Sequence, residues 1–318
     1  METKEQKKKS FWDRYNDMPK PLQKGKYVLI LFATFMPILT FLVFYIGTNV
    51  TGFLIAFQRT TFKNGEEITY FTTENFKGVF DAFKSVDSNF MIALKNTVLL
   101  FCVDVFMMIP IFLIALALSQ NIHGSKVFRV MLYLPSIISS IAFVTMVRGI
   151  LQENVGAMAM LFDKFGWTFP NIFHNSKTAF KGVLGYCMWA GLYVNLLLFE
   201  GALRRIPQEI LDAAAIDGVN RFQEIVKIRF PLIWGTFSII LTMKVSNFFM
   251  VTGPILELTG GGYNTQTLNY WFFSQTMYGD ANAQNVSAAG GMIISALSIP
   301  LFYGFKWLMG KVSPEVEY

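Results

Sequence analysis

The sequence predicts an all-α membrane protein with six transmembrane helices, and three observations carry that expectation. Hydrophobic residues fill 53% of the 318 positions and charged residues only 15%, against roughly a quarter charged in soluble domains. Several apolar runs exceed the roughly 18 to 20 residues that span a bilayer as helix. Lys and Arg gather in alternate polar segments, as the positive-inside rule requires. The formal charge of +6 therefore reports topology, and no nucleic-acid partner is expected.

The elements follow in order. Residues 1–26 form a basic tail carrying Lys4, Lys7, Lys8, Lys9, Arg14, Lys20, Lys24 and Lys26, suited to a cytoplasmic position beside anionic lipid. Its charge and its lack of an early apolar core or small-residue cleavage site predict that no signal peptide is removed. Residues 27–318 then read as one transmembrane domain. Its first span runs from Tyr27 to about Phe57, interrupted by Pro37 and Gly47. Residues 58–89 read as a polar loop of mixed charge, containing Glu66, Glu67, Glu74, Asp81 and Asp87.

A second span covers about 90–118, and a short turn holds Asn121, Gly124, Ser125 and Lys126. The third runs from Phe128 to Ile150 with Pro135 inside, followed by an aromatic-rich polar loop over 151–178. A fourth span at 179–200, a fifth at 230–252, a Gly-rich outer loop and a sixth span at 286–310 complete the chain. An even number of spans puts both termini on one side. That side, with the turn at 119–129, the loop at 201–229 and Lys311, holds about twice as many Lys and Arg as the other, so it is predicted to be cytoplasmic.

Neither cysteines nor histidines suggest chemistry. Cys102 and Cys187 lie inside separate spans, where they read as small buried apolar side chains. His123 and His174 stand alone on loops, without a second ligand at metal spacing.

The informative segment is the water-soluble interlude at about 200–231. Pro207 suits a first helical turn, where its missing N–H costs nothing, and Glu209 favours the positive helix end. Ile206, Ile210 and Ala214 recur at four-residue intervals, with Leu211 and Ala215 beside them, giving one apolar stripe. Gly218 stands where a helix C-terminus takes left-handed backbone, and Asn220 can cap the helix that follows. Phe222, Ile225 and Val226 form a second short apolar face. The small side chains of Ala213 and Ala214 suit a helix that slots closely into a partner's cleft. An interfacial helix on lipid would also be amphipathic, but this stripe is short and lacks anchoring Trp and Phe.

The spacing Asp212-Ala213-Ala214, Gly218, Ile228, Phe230-Pro231 resembles the EAA loop of ABC importer permeases, with Asp212 in place of Glu and Phe230 in place of Leu. Leu258-Thr259-Gly260-Gly261-Gly262, then Thr267 and Leu268, is similar to the segment after the fifth span of carbohydrate permeases; Tyr263 replaces the usual Pro. Ile216-Asp217 and Asn220-Arg221 are also typical of sugar permeases, with Phe222 replacing a Trp. The likeness covers roughly residues 90–310 and is strongest over 185–270.

This resemblance implies a type I ABC importer permease with a cytoplasmic coupling helix, in a bacterial plasma membrane. It implies that Asp212, Ala213, Ala214, Gly218, Ile228 and Pro231 couple the chain to two ATPase subunits. ATP and Mg would bind those subunits, since the sequence has no GxxxxGK[ST] phosphate loop of its own. The further partners implied are a second permease, most simply in a heterodimer, an extracellular solute-binding protein and an oligosaccharide substrate. For the substrate path, polar and aromatic residues in the spans are the candidates: Trp189, Tyr193, Asn195, Lys244 and Asn247. Groups of this kind at membrane depth face the bundle interior or an aqueous path. Lys244 has two readings, an ion pair with Asp104 or a contact to a carboxylated sugar.

Other classes fit less well. A non-sugar cargo (peptide, amino acid, phosphate or polyamine) would keep the coupling loop and change only the path. A secondary transporter would need interrupted repeats and a carboxylate relay, for which Asp104 is the only obvious candidate. An intramembrane enzyme would need a nucleophile–base pair or a metal motif, and the spans contain neither. The chain is therefore read as a transporter subunit rather than an enzyme.

Overall fold

A computed structural model describes residues 20–63, 66–85, 89–120 and 124–312. Helix dominates, as predicted. Among the described residues, four helices are long and apolar enough to cross a membrane, or up to six if each of two bent pairs counts as one span.

Helix α1 (Gly25–Ala56) crosses Pro37 and contains a π-helical turn at Phe41–Ile46. Along most of its length its apolar side chains point away from the rest of the chain. Only its last turns join the core, where Ala56 packs with Val79 and Ala289.

The polar stretch after α1 corrects the expectation of a loop. Strands β1 (Gln58–Lys63) and β2 (Glu66–Phe71) pair antiparallel, with Thr60 opposite Thr69, and helix α2 (Glu74–Lys84) follows. Thr-rich alternation over six residues is too short a signal to separate from a loop. The fully buried Asn75 anchors the unit by donating from Nδ2 to the carbonyls of Ala56 (2.9 Å) and Gln58 (2.7 Å).

Helix α3 (Phe90–Ser119) has a single turn residue at Met107, just ahead of Pro110, and runs on as one span. The predicted third span is broken instead: α4 (Ser125–Ile137) and α5 (Ser140–Ile150) meet at 103°. Pro135 cannot donate its helical hydrogen bond, and Ile138 and Ser139 take extended backbone (ψ 141 and 131). Helix α6 (Ala157–Lys164) lies in the following loop. Helix α7 (Ala179–Arg204) continues past the expected end at 200, with an irregular turn before Asn195, whose φ is 62.

The interlude contains α8 (Gln208–Ile216), then α9 (Arg221–Leu232), which meets α10 (Trp234–Ser246) at 68°. The predicted fifth span therefore begins inside the soluble segment, bent at Pro231 and Ile233. Beyond α10, the Gly-rich loop is not featureless. It contains α11 (Ile255–Thr259) and α12 (Leu268–Tyr278). Gly261 (φ 77) is required there on two counts, because a Cβ would also lie 2.1 Å from the Tyr270 ring. Helix α13 (Ala281–Val312) closes the bundle.

Hydrogen bonds define the two ends of this bundle. At one, Thr60 N–H donates to Asn282 Oδ1 (3.3 Å), and Asn96 donates to the carbonyls of Asn264 and Gln266 (both 2.8 Å). At the other, Arg204 donates to the Leu118 carbonyl (3.1 Å) beside the α8–α9 loop.

Candidate coupling loop and intramembrane cavity

The α8–α9 loop is a rigid elbow. Pro207 is the N-cap of α8 rather than a first-turn residue, with extended ψ (136), which its ring and the carbonyl geometry permit. Its φ of −58 still presets the helix start. Glu209 lies in the first turn, as expected. Ile206 and Ala214 are buried against the bundle, while Ala213, Ala215 and Ile216 are exposed, so the alanine pair is split between an inward and an outward face. Gly218 has φ 74 and open space around its missing Cβ, so backbone conformation alone explains the glycine. Asn220 and Gln223 form a reciprocal capping box: Gln223 N–H donates to Asn220 Oδ1 (2.9 Å) and Asn220 N–H to Gln223 Oε1 (3.2 Å).

Two local polar contacts and one aromatic anchor shape this elbow. Gln208 Nε2 donates to Asp212 Oδ1 (2.9 Å), holding the carboxylate on the first turns of α8. The buried Arg229 pairs with Glu224 (2.6 Å) across a π-helical turn at Glu224–Arg229 that includes Ile228. Phe230 enters the aromatic core against Phe112, Trp234 and Phe237 (centroids 5.3–5.9 Å). Pro231 follows immediately and cannot donate to the helix, which leaves the chain free to bend there. A cavity of about 520 Å³ separates α8 from the bundle, lined by Asp212, Arg204, Gln120 and Arg229 among others.

Under the elbow sits a cluster that sequence reasoning did not find. Glu200 is buried and its Oε1 accepts from Arg129 Nη2 (2.7 Å) and Arg204 Nε (2.9 Å), while Oε2 accepts from the Tyr133 hydroxyl (2.8 Å). Arg204 and Arg129 also donate to the Leu118 carbonyl (3.1 and 3.4 Å). The cluster thereby locks α3, α4 and α7 together where the loop departs. Only the Glu200–Arg204 spacing of four was available in the sequence as a signal.

The second candidate site is a cavity of about 370 Å³ between α3, α5, α7 and α11. Asp104, Ser140, Tyr186, Tyr193 and Glu257 are its polar lining. Of the predicted substrate-path residues, Tyr193 is on this wall. Lys244 reaches it only through Asp104: its Nζ lies 2.5 Å from Asp104 Oδ1, and its side chain is 9% exposed against 44% for the carboxylate. Of the two readings of Lys244, the geometry shows the ion pair. Trp189 stacks on Phe143 (5.1 Å, 18°) and is half exposed away from the cavity. Asn195 serves the turn in α7, and Asn247 donates to the Met243 carbonyl (2.9 Å) at the end of α10. Neither lines the cavity. Tyr186 and Glu257 were missed because nothing in their spacing marks them.

Bent spans, a polar helical elbow beside them and a cavity between the spans that carries two carboxylates define a polytopic transport subunit. A family model of the "binding-protein-dependent transport system inner membrane component" matches residues 92–315, and the chain belongs to that family. Among its relatives, the multiple sugar-binding transport system permease protein MsmF of Streptococcus mutans is 28% identical over 178 residues, covering 54% of this chain and 61% of MsmF. The maltose/maltodextrin permease MalF of Escherichia coli is 24% identical over 212 residues, 63% of this chain and 41% of MalF. The arabinooligosaccharide permease AraP of Bacillus subtilis is 24% identical over 283 residues, 85% of this chain and 87% of AraP. The chain thus spans less than two thirds of MsmF and of MalF. A bacterial ABC transporter that imports the acidic polysaccharide alginate superposes with a TM-score of 0.74 at 18% identity, over 93% of this chain and 100% of the matched one. At that identity the likeness establishes the fold.

Proposed function

We propose that this chain is the permease subunit of an ATP-driven importer that takes up oligosaccharides handed over by an extracellular solute-binding protein. It pairs with a second, different permease chain and with two ATPase subunits, which bind ATP and Mg. The membrane is a bacterial plasma membrane, with both termini and the α8–α9 elbow in the cytoplasm, where the Lys and Arg bias puts them.

One observation carries this function: α8 presents an exposed, narrow Ala213 face while Ile206 and Leu211, on its inner side, pack against the apolar cluster shared by α3, α7 and α10. A push on that helix is therefore transmitted to α7, α9 and α10 instead of being absorbed by loose chain. In this account, ATP-driven closure of the partner moves α8, and the bends at Ile138–Ser139 and at Ile233 allow the spans to open the cavity alternately to each side. The sugar cargo is supported by the Gly-rich segment at 258–268 and by the names of the relatives. The test is purification with candidate ATPase and permease chains, then uptake of labelled oligosaccharide into proteoliposomes with the binding protein present. ATP-dependent uptake is expected. Uptake driven by an ion gradient without any ATPase subunit would overturn the proposal.

A further inference from the structure

The cavity between α3, α5, α7 and α11 has a charge pattern that narrows its cargo. Asp104 and Glu257 both line it, and no Lys, Arg or His does so among the described residues. The Asp104 carboxylate gives Oδ1 to Lys244 yet stays 44% exposed, while the lysine is almost enclosed. Glu257 is held through its main chain, whose carbonyl accepts from Arg148 Nη1 (2.8 Å). Among the described residues, no hydrogen bond or ion pair engages its carboxylate. The nearby Arg148 and His174 line a separate cavity of about 330 Å³ instead.

The neutral groups on the wall complete the pattern. Tyr186, Tyr193 and Ser140 supply hydroxyls, and Tyr186 and Tyr193 have no hydrogen-bond partner among the described residues. Carboxylates accept hydrogen bonds and cannot donate them, so this wall favours ligands rich in hydroxyl or ammonium donors. A uronate brings acceptor-only oxygens and a like charge toward Asp104 and Glu257. The volume, about 370 Å³, falls at the small end of the ~300–1,000 Å³ range of ligand pockets.

We infer that this cavity takes uncharged or amino-bearing sugar units and rejects uronic acids, in contrast to the alginate importer whose fold it shares. The inference rests on the proposed importer function and concerns the cargo's charge alone. It is independent of which ATPase drives the cycle.

The experiment uses the purified full complex without binding protein, so that the binding protein's own selectivity does not enter. Saturation-transfer NMR compares trigalacturonate with its fully methyl-esterified form, two probes that share a backbone and differ in charge. The ester should bind about tenfold or more tightly at low salt, and this preference should shrink as salt rises. Glu257→Gln should bring the ratio below about threefold while retaining the ester. Equal or tighter binding of the acid, a ratio unmoved by Glu257→Gln, or binding of neither probe would overturn the inference. ATP-dependent uptake of an acidic oligosaccharide would overturn it while leaving the importer function standing. Absence of any ATP-dependent sugar uptake would remove both.

Discussion

Replacing Glu200 by Gln keeps the shape of the side chain and removes the charge that joins α3, α4 and α7. The wild-type carboxylate is 4% exposed and accepts from two guanidinium groups and one phenol at 2.7–2.9 Å. Breaking a fully buried ion pair costs about 3–5 kcal/mol, because the charges left behind cannot rehydrate. Here Arg129 and Arg204 are 30% and 36% exposed and can recover part of their hydration. The amide also keeps one acceptor oxygen, so about 2 kcal/mol is the expected loss. For a chain of this size that corresponds to a fall in Tm of about 3 °C, readable by thermal scanning of the detergent-solubilised complex. Because the partners share one oxygen, Glu200→Gln with Arg204→Gln should cost less than the sum of the single changes. An unchanged or raised Tm for Glu200→Gln would refute the assignment of this cluster as a structural lock.

Gly218→Val should uncouple ATP hydrolysis from uptake while leaving the chain in the membrane, since left-handed backbone costs a side-chain-bearing residue about 1–2 kcal/mol. Gly218→Asn, which tolerates that backbone better, should retain more transport, and equal uptake by both variants and wild type would refute the elbow's role. Lys244→Met alone should lower Tm by leaving Asp104 unpaired, and Lys244→Met with Asp104→Leu should recover it; a raised Tm for the single change would show that the ion pair contributes nothing. Cysteine at position 215 should label only from the cytoplasm and cysteine at position 70, on the exposed β2, only from outside. The reverse pattern would invert the proposed topology.

What the sequence revealed and what it hid divide along physical lines. Gly218 and Asn220 were legible because left-handed backbone and helix capping depend on residue type and local spacing, and both have the expected geometry. The span count was legible because bilayer thickness fixes helix length. Pro135 and Pro231 were visible, but a proline specifies a weak point without specifying an angle, so the bends of 103° and 68° were not. Glu200, Arg129 and Tyr133 come from separate spans, and only tertiary packing brings them together. Asn195 and Asn247 look like ligands in sequence because they are polar at membrane depth. In the structure, Asn195 sits in a backbone break and Asn247 satisfies a helix-end carbonyl, roles that periodicity alone does not separate from sugar binding.

The central claim is that the outward face of α8 meets the ATPase. Ala213 is exposed and Ala214 is buried on the same turn, so only the first can meet a partner. A photo-crosslinker attached at Ala213→Cys in the assembled complex should capture the ATPase subunit, and capture should change when ATP is bound. The same probe at position 70, at the opposite end of the bundle, should capture none. An ATPase adduct from position 70, or none from position 213 in a complex that still hydrolyses ATP, would contradict the account.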